Sequence, residues 1–156
     1  MYYSFIYPYL CYGIKAWGHP AQSYIQSLVK LQKKTVRVIT FSGFIAHTAP
    51  IFVRLNFLPF PEIRITKIAL FMFKQFDKMN PVCLDNMFIM NANVHSYSTR
   101  NIYKYHPPLV RTEMFKESNI YCGVIIWNHF VDGNCCYHTY KKKIKNFLLC
   151  NDVPIT

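Results

Sequence analysis

The feature that most constrains the fold is residues 61–78, a predicted helix with apolar side chains on nearly every side. A surface helix has one apolar stripe, whereas a helix that is apolar all round is buried. The sequence therefore predicts a mainly α fold with this helix at the centre of its core, ended by Asn80-Pro81. The apolar positions are Ile63, Ile65, Ile68, Ala69, Leu70, Phe71, Met72, Phe73 and Phe76.

A second long helix is predicted over residues 21–41, and its faces differ in polarity. One side repeats at alternating four- and three-residue steps, the period of a helix with one buried face. We expect this side to pack against the central helix. Its positions are Tyr24, Leu28, Leu31, Thr35 and Val38, widened by Ile25, Val29, Val36 and Ile39.

The opposite side of the second helix carries a ridge of cations. Residues at i, i+3, i+4 and i+7 share one face of a helix, and no acidic residue lies among them. A solvated helix face normally mixes Glu with Lys, so the pattern favours phosphate contact about as strongly as mere solubility. The basic ridge consists of Lys30, Lys33, Lys34 and Arg37.

The remaining elements are shorter. Residues 2–17 are predicted to form a helix bent near Pro8 and ended by Gly18-His19-Pro20. Thr48 is predicted to cap a short helix that runs to about Arg54, with Pro50 in its first turn.

In the C-terminal half, residues 116–122 are predicted to pair with part of 97–105 in a two-stranded β-ribbon packed on the helices. A short helix around Trp127, over residues 123–130, and an amphipathic helix over 137–149 follow. The last helix carries a second basic group, Lys141, Lys142, Lys143 and Lys145.

This pattern predicts one helical domain over residues 1–156. We divide it into a helical core (1–88), a loop and extended segment (89–122) and C-terminal helices (123–150). The length of the chain agrees with a single domain, because 156 residues is an ordinary domain size.

Charge indicates an anionic partner. The chain has 18 Lys and Arg against 7 Asp and Glu, a net charge of +11. Residues 1–76 contain nine basic residues and a single acid, Glu62. Such a surface fits phosphate or anionic lipid, whereas metal-dependent phosphoryl transfer needs clustered carboxylates that this chain lacks.

No catalytic, metal or cofactor site is predicted. Phosphate-loop, dinucleotide, hydrolase-elbow and zincin motifs are absent from the sequence. Glu113 and Glu117 fit a solvated pair better than an acid–base dyad. The zinc-compatible group, His129, Cys135, Cys136 and His138, lacks the paired spacing of common zinc knuckles.

The aromatic N-terminal segment suggests a truncated reading frame, in which the upstream part that would pack against this segment is missing. Five tyrosines, Pro8 and Lys15 interrupt the apolar residues 1–17, so no membrane span is predicted. No basic, cleavable leader precedes them, and we expect reduced cysteines and a nuclear or cytoplasmic location inside the cell.

A resemblance covers residues 2–149. Four segments resemble the region downstream of the palm in jockey-like non-LTR retrotransposon (LINE) reverse transcriptases. They are YYSFIYPYL at 2–10, LQKK at 31–34, AHTAPIF at 46–52 and LNFLP at 55–59. Further similar segments follow in the same order, at residues 69–74, 95–100, 126–128 and 141–145.

The resemblance implies a thumb-like, C-terminal helical region without polymerase activity, since the family's palm carboxylates and endonuclease lie upstream of the matching part. Its implied partners are an RNA/DNA duplex or the element RNA, and the missing palm. Both basic groups would contact template–primer.

Two alternatives stand beside this interpretation. The opening stretch is also similar to the AlkB-homologue N-terminal domain, but the chain lacks the H-x-D…H iron triad that such dioxygenase chemistry requires. The second alternative is a free-standing helical interaction protein with no nucleic-acid role. Exposed aromatic side chains within residues 2–17 would favour that interpretation.

Overall fold

The computed structural model describes residues 1–17, 22–94, 101–102, 104–130 and 136–150. Throughout these segments the chain is mainly helical and contains no β-strand. The α-helices are α1 (Tyr7–Cys11), α2 (Ile14–Trp17), α3 (Gln22–Ile39), α4 (Ala49–Leu55), α5 (Phe60–Phe76), α6 (Asn91–Val94), α7 (Glu113–Lys116), α8 (Asn119–Phe130) and α9 (Tyr137–Cys150). A π-helical turn covers Tyr2–Ile6 and a 3-10 helix covers Val82–Met87.

The chain forms two compact units, each with its own core. Unit 1 contains residues 1–65 and the chain from Lys145 onward, and unit 2 contains Thr66–Ile144. The boundaries between the units fall within α5, after Ile65, and within α9, after Ile144.

The predicted central helix is confirmed. Met72 is fully buried and Phe73 nearly so, whereas Phe71 is half-buried and Lys30 and Lys34 are exposed. Helix α5 ends at Phe76, slightly before the predicted boundary at 78, and Asn80 Nδ2 donates hydrogen bonds to Phe71 O at 3.2 Å and Gln75 Oε1 at 3.0 Å just beyond it.

The core of unit 1 is built on an aromatic stack. The rings of Tyr2 and Phe57 stack at 4.1 Å between centroids, inclined by 18°. Val36, Ile51 and Phe52 complete this buried cluster, so the N-terminal segment, α3 and α4 share one core.

The N-terminal segment is not the single helix predicted over residues 2–17. Tyr7 N–H donates to Tyr2 O, a wide π-type turn, and α1 follows with Pro8 in its first turn. The break comes at Gly13, whose φ of 62° glycine adopts readily. The predicted stop at Gly18-His19-Pro20 lies outside the described residues.

The buried face of helix α3 overlaps the predicted one, since Val36 and Ile39 belong to the core, but it is centred on Gln32. Val36 and Gln32 are buried, whereas Leu31 is 58% exposed and Val38 72% exposed. The cause is Gln32, whose Nε2 donates to Tyr2 Oη at 2.7 Å and to Leu58 O at 2.9 Å. Its Oε1 accepts from Phe60 N–H at 2.8 Å, which ties α3 to the first residue of α5. A fully satisfied amide is stable in a core.

The core of unit 2 surrounds Trp127, which is 2% exposed. Its ring lies 5.1 Å from that of Phe76 and 5.8 Å from that of Tyr140, and Tyr140 also contacts Phe73 at 5.0 Å. These three ring pairs are tilted, and their centroid separations lie within the range typical of aromatic pairs.

The predicted β-ribbon is wrong as far as the described residues show. Residues 119–122 are the first turn of α8 instead, because Ser118 Oγ accepts from Tyr121 N–H at 3.3 Å and caps it. Part of the intended partner, residues 97–100 and 103, lies outside the described chain. One antiparallel bridge, between Met90 and Tyr105, stands in its place.

Asn128 completes this bridge from its other side. Its Nδ2 donates to Tyr105 O at 2.9 Å, and its Oδ1 accepts from Tyr105 N–H at 3.0 Å. The side-chain amide thus satisfies both main-chain groups of Tyr105, as a neighbouring strand would.

Three helices end with a residue in the left-handed region: Phe41 after α3 (φ 51°), Asn56 after α4 (φ 55°) and Lys78 after α5 (φ 54°). After α3, Ser42 N–H donates to Arg37 O at 3.0 Å and Phe41 N–H to Val38 O at 3.2 Å. This is the Schellman arrangement, which usually has glycine at the left-handed position.

Candidate nucleic-acid interface

The lysines of the basic ridge lie on the solvent side of α3. Lys30, Lys33 and Lys34 are exposed. At about 100° per residue these lysines lie roughly 100–160° around the helix from Gln32, the centre of the buried face. These three lysines of the ridge therefore face solvent.

Arg37 differs from the three lysines of the ridge. It is half-buried, and its Nε donates a hydrogen bond to Ala46 O at 2.9 Å. That bond ties α3 to the loop that follows it. Arg37 therefore has a structural contact of its own, and the lysines carry the freely presented charge.

The second basic group does not form a ridge. Lys141, Lys142 and Lys143 are exposed and Lys145 is half-buried. Successive residues of a helix point about 100° apart, so Lys145 shares a side with Lys141 and Lys142, whereas Lys143 points to another side. Tyr140, Ile144 and Leu148 of α9 are buried, and the lysines cover much of the remaining circumference.

The loop after α3 carries a surface that the sequence analysis missed. Phe41 is 97% exposed, Phe44 79% and Ile45 90%. Phe44 and Ile45 are the central residues of a turn closed by Ala46 N–H donating to Gly43 O at 3.0 Å. Two phenylalanines flanking Ser42-Gly43 were the available signal, because a turn there exposes what surrounds it.

Aromatic exposure also occurs at the N-terminus. Tyr2 is buried, but Phe5 is 65% exposed, Tyr9 80% and Tyr12 82%. Exposed aromatic side chains in this segment are the feature that favours the alternative of an interaction protein.

The remaining candidate groups are the acidic pair at Glu113 and Glu117 and the Cys/His group near α9. Glu113 pairs with Lys116 at 2.7 Å, an exposed contact within one helical turn. Cys136 precedes α9, and its hydrogen bond with Thr139 Oγ1 at 3.0 Å lowers the pKa of the exposed thiol. Among the described residues no group of His, Cys, Asp and Glu could hold a metal ion, and Cys135 lies outside them.

The described helices include none with the length and apolarity needed to cross a membrane. No protein-family model matches the chain, and neither a curated protein nor a solved structure matches it.

Proposed function

We propose that this chain is a non-catalytic nucleic-acid-binding region, corresponding to the thumb-like part of a jockey-like non-LTR retrotransposon reverse transcriptase. The observation that carries the proposal is the exposure of Lys30, Lys33 and Lys34 on the side of α3 away from its core. The resemblance over residues 2–149 supports the same reading.

The role of the ridge is to contact phosphates. Lys30 and Lys34 lie four residues apart, about 6 Å along the helix axis, so the exposed lysines can reach phosphates over that length of a strand. Such contacts release condensed counterions and carry no sequence information. The chain would hold a template–primer duplex in place while another part of the polymerase performs the chemistry.

A salt titration tests this role. We expect binding to a labelled RNA/DNA hybrid to weaken steeply with salt, and the triple variant Lys30→Gln, Lys33→Gln, Lys34→Gln to flatten the log–log slope by about 2.7, from roughly 0.9 per contact. Gln keeps good helix propensity, so helix content should hold.

A charge-matched control removes three exposed cations elsewhere, Arg54→Gln, Lys78→Gln and Arg111→Gln. This control should keep most of the slope. Equal slopes in both triple variants would mean that net charge, and not the ridge, drives binding. Replacing the lysines at 141–145 then tests the second basic group separately.

The second candidate function is a protein-interaction module. Exposed Phe5, Tyr9 and Tyr12 favour it. It predicts concentration-dependent self-association or capture of a defined partner that Phe5→Ser, Tyr9→Ser and Tyr12→Ser abolish. Light scattering on both proteins, with the hybrid titration beside it, separates the two functions, because this triple variant leaves the ridge intact.

A further inference from the structure

The apolar loop at the end of the ridge has no role in phosphate contact. Phe41, Phe44 and Ile45 are among the most exposed apolar side chains described, and they follow directly on the helix that carries the lysines. An apolar surface beside a row of cations needs its own explanation.

Phe41 occupies a strained position and its ring is exposed, so the ring adds little to the packing of the fold. Its φ of 51° is unfavourable for a bulky side chain, and 97% of the residue is exposed. Glycine is the usual occupant of this position in a Schellman motif. Backbone strain of this kind concentrates at functional sites.

The loop is held against the ridge. Arg37 Nε donates to Ala46 O at 2.9 Å, and the hydroxyls of Thr40 and Ser42 share a hydrogen bond at 2.8 Å. The turn at Gly43 and Ala46 fixes the tip. Phe41 and Phe44 are therefore presented at one end of the ridge by a short, hydrogen-bonded loop.

A linear row of charge that ends in flat rings matches one nucleic-acid strand, whose phosphates form a row and whose bases are flat. A lipid surface spreads its charge in two dimensions and has no planar group for a phenyl ring to cover. Aromatic side chains stack on unpaired bases of any sequence, and apolar side chains such as Ile wedge between bases.

We propose that Phe41 and Phe44 stack on unpaired bases, so that the ridge and loop bind a duplex that continues into a single strand more tightly than a blunt duplex. This inference rests on the proposed function and specifies its substrate. The lysines bind the phosphates independently of sequence, and the loop favours the junction between the duplex and the single strand.

Three labelled hairpins test the inference with the full chain. One is blunt, one has an unpaired extension, and one has an abasic extension that keeps the phosphates but lacks the bases. We expect the base-bearing extension to be bound at least about fivefold more tightly than the abasic one, from about 1 kcal/mol per stacked base. Phe41→Gly and Phe44→Ala should each reduce that preference, whereas Tyr9→Ala, which removes another exposed ring, should keep it.

The outcomes separate the two proposals. Equal binding of all three hairpins with a steep salt slope would overturn the stacking and leave the ridge function standing. Absence of salt-dependent binding to any hairpin would remove both. Phe41-dependent binding to phosphatidylserine vesicles without discrimination among hairpins would assign the loop to lipid. Phe41→Gly should fold at least as well as the parent by circular dichroism, so its loss of preference reports on the ring.

Discussion

The side-chain amide of Gln32 donates a hydrogen bond of 2.7 Å to the phenol oxygen of Tyr2, thirty positions away in the sequence. The same amide also bonds Leu58 O and Phe60 N–H. One polar side chain thereby connects the N-terminal turn, α3 and the start of α5, and it sets which face of α3 is buried.

Gln32→Leu should destabilise the fold by about 2–5 kcal/mol, because it leaves two buried main-chain groups without this partner. Gln26→Leu, on an exposed position of the same helix, should change stability by less than about 0.5 kcal/mol. Denaturant unfolding of both variants measures the difference. Similar costs for the two would show that the Gln32 bonds contribute little net stability.

Phe41→Gly should stabilise the fold by about 1 kcal/mol, since glycine adopts the left-handed conformation without the penalty of a side chain. Lys78→Gly should do the same, at φ 54°, and Asn56→Gly should gain less because Asn tolerates this region better. Thermal melts give the ranking. A loss of stability in Phe41→Gly would mean that the exposed ring has a packing role.

Gly123→Ala should destabilise unit 2 by about 1 kcal/mol, the balance of overpacking against better helix propensity. A Cβ there would lie 2.9 Å from Met72 Sδ and 3.2 Å from its Cγ. At Gly43 a Cβ meets nothing within 4 Å, so Gly43→Ala should be neutral or slightly stabilising. Combining Gly123→Ala with Met72→Ala should relieve the clash, and an additive double variant would contradict it.

The fold should lose stability in base through buried phenols. Burial, with a smaller contribution from the Asp85 carboxylate, raises the pKa of Tyr105 to about 12, against about 10 for an unfolded chain. The folded state thus holds this proton more tightly, and the associated stability is present below pH ~10 and lost as the pH rises towards ~12. Burial also raises the pKa of Tyr2, in the same direction.

Tyr105→Phe has no phenol to titrate, so its stability should fall by about 3 kcal/mol less than that of the parent across this window. Unfolding curves on either side of the window measure this, and Tyr9→Phe at an exposed position provides the control. Parallel pH profiles for parent and Tyr105→Phe would show that Tyr105 titrates normally.

The sequence was sufficient for the parts of the fold that depend on apolar periodicity. Residues 61–78 predicted α5 because an all-round apolar helix has only one environment available. The centre of the buried face of α3 was misplaced because Gln32 counts as polar in such a pattern, although its three hydrogen bonds make it a core residue. A long-range partner such as Leu58 O cannot be read from local spacing.

The candidate interface was likewise predicted from the sequence only in part. Helical spacing located Lys30, Lys33 and Lys34, since neighbours at i+3 and i+4 follow from helix geometry alone. The exposed ring of Phe41 was not foreseen: the turn residues Ser42-Gly43 were a signal for exposure there, but the left-handed conformation of Phe41 itself cannot be read from local spacing.

The Asn128 amide has a consequence for the chain's behaviour at high concentration. A short extended segment with open main-chain groups can recruit a strand from another molecule, the first step of intermolecular β-assembly. One side of Tyr105 faces Met90 in the bridge, and its N–H and C=O are occupied by Asn128. A side chain from α8 thus occupies the main-chain groups of Tyr105 that an added strand would need.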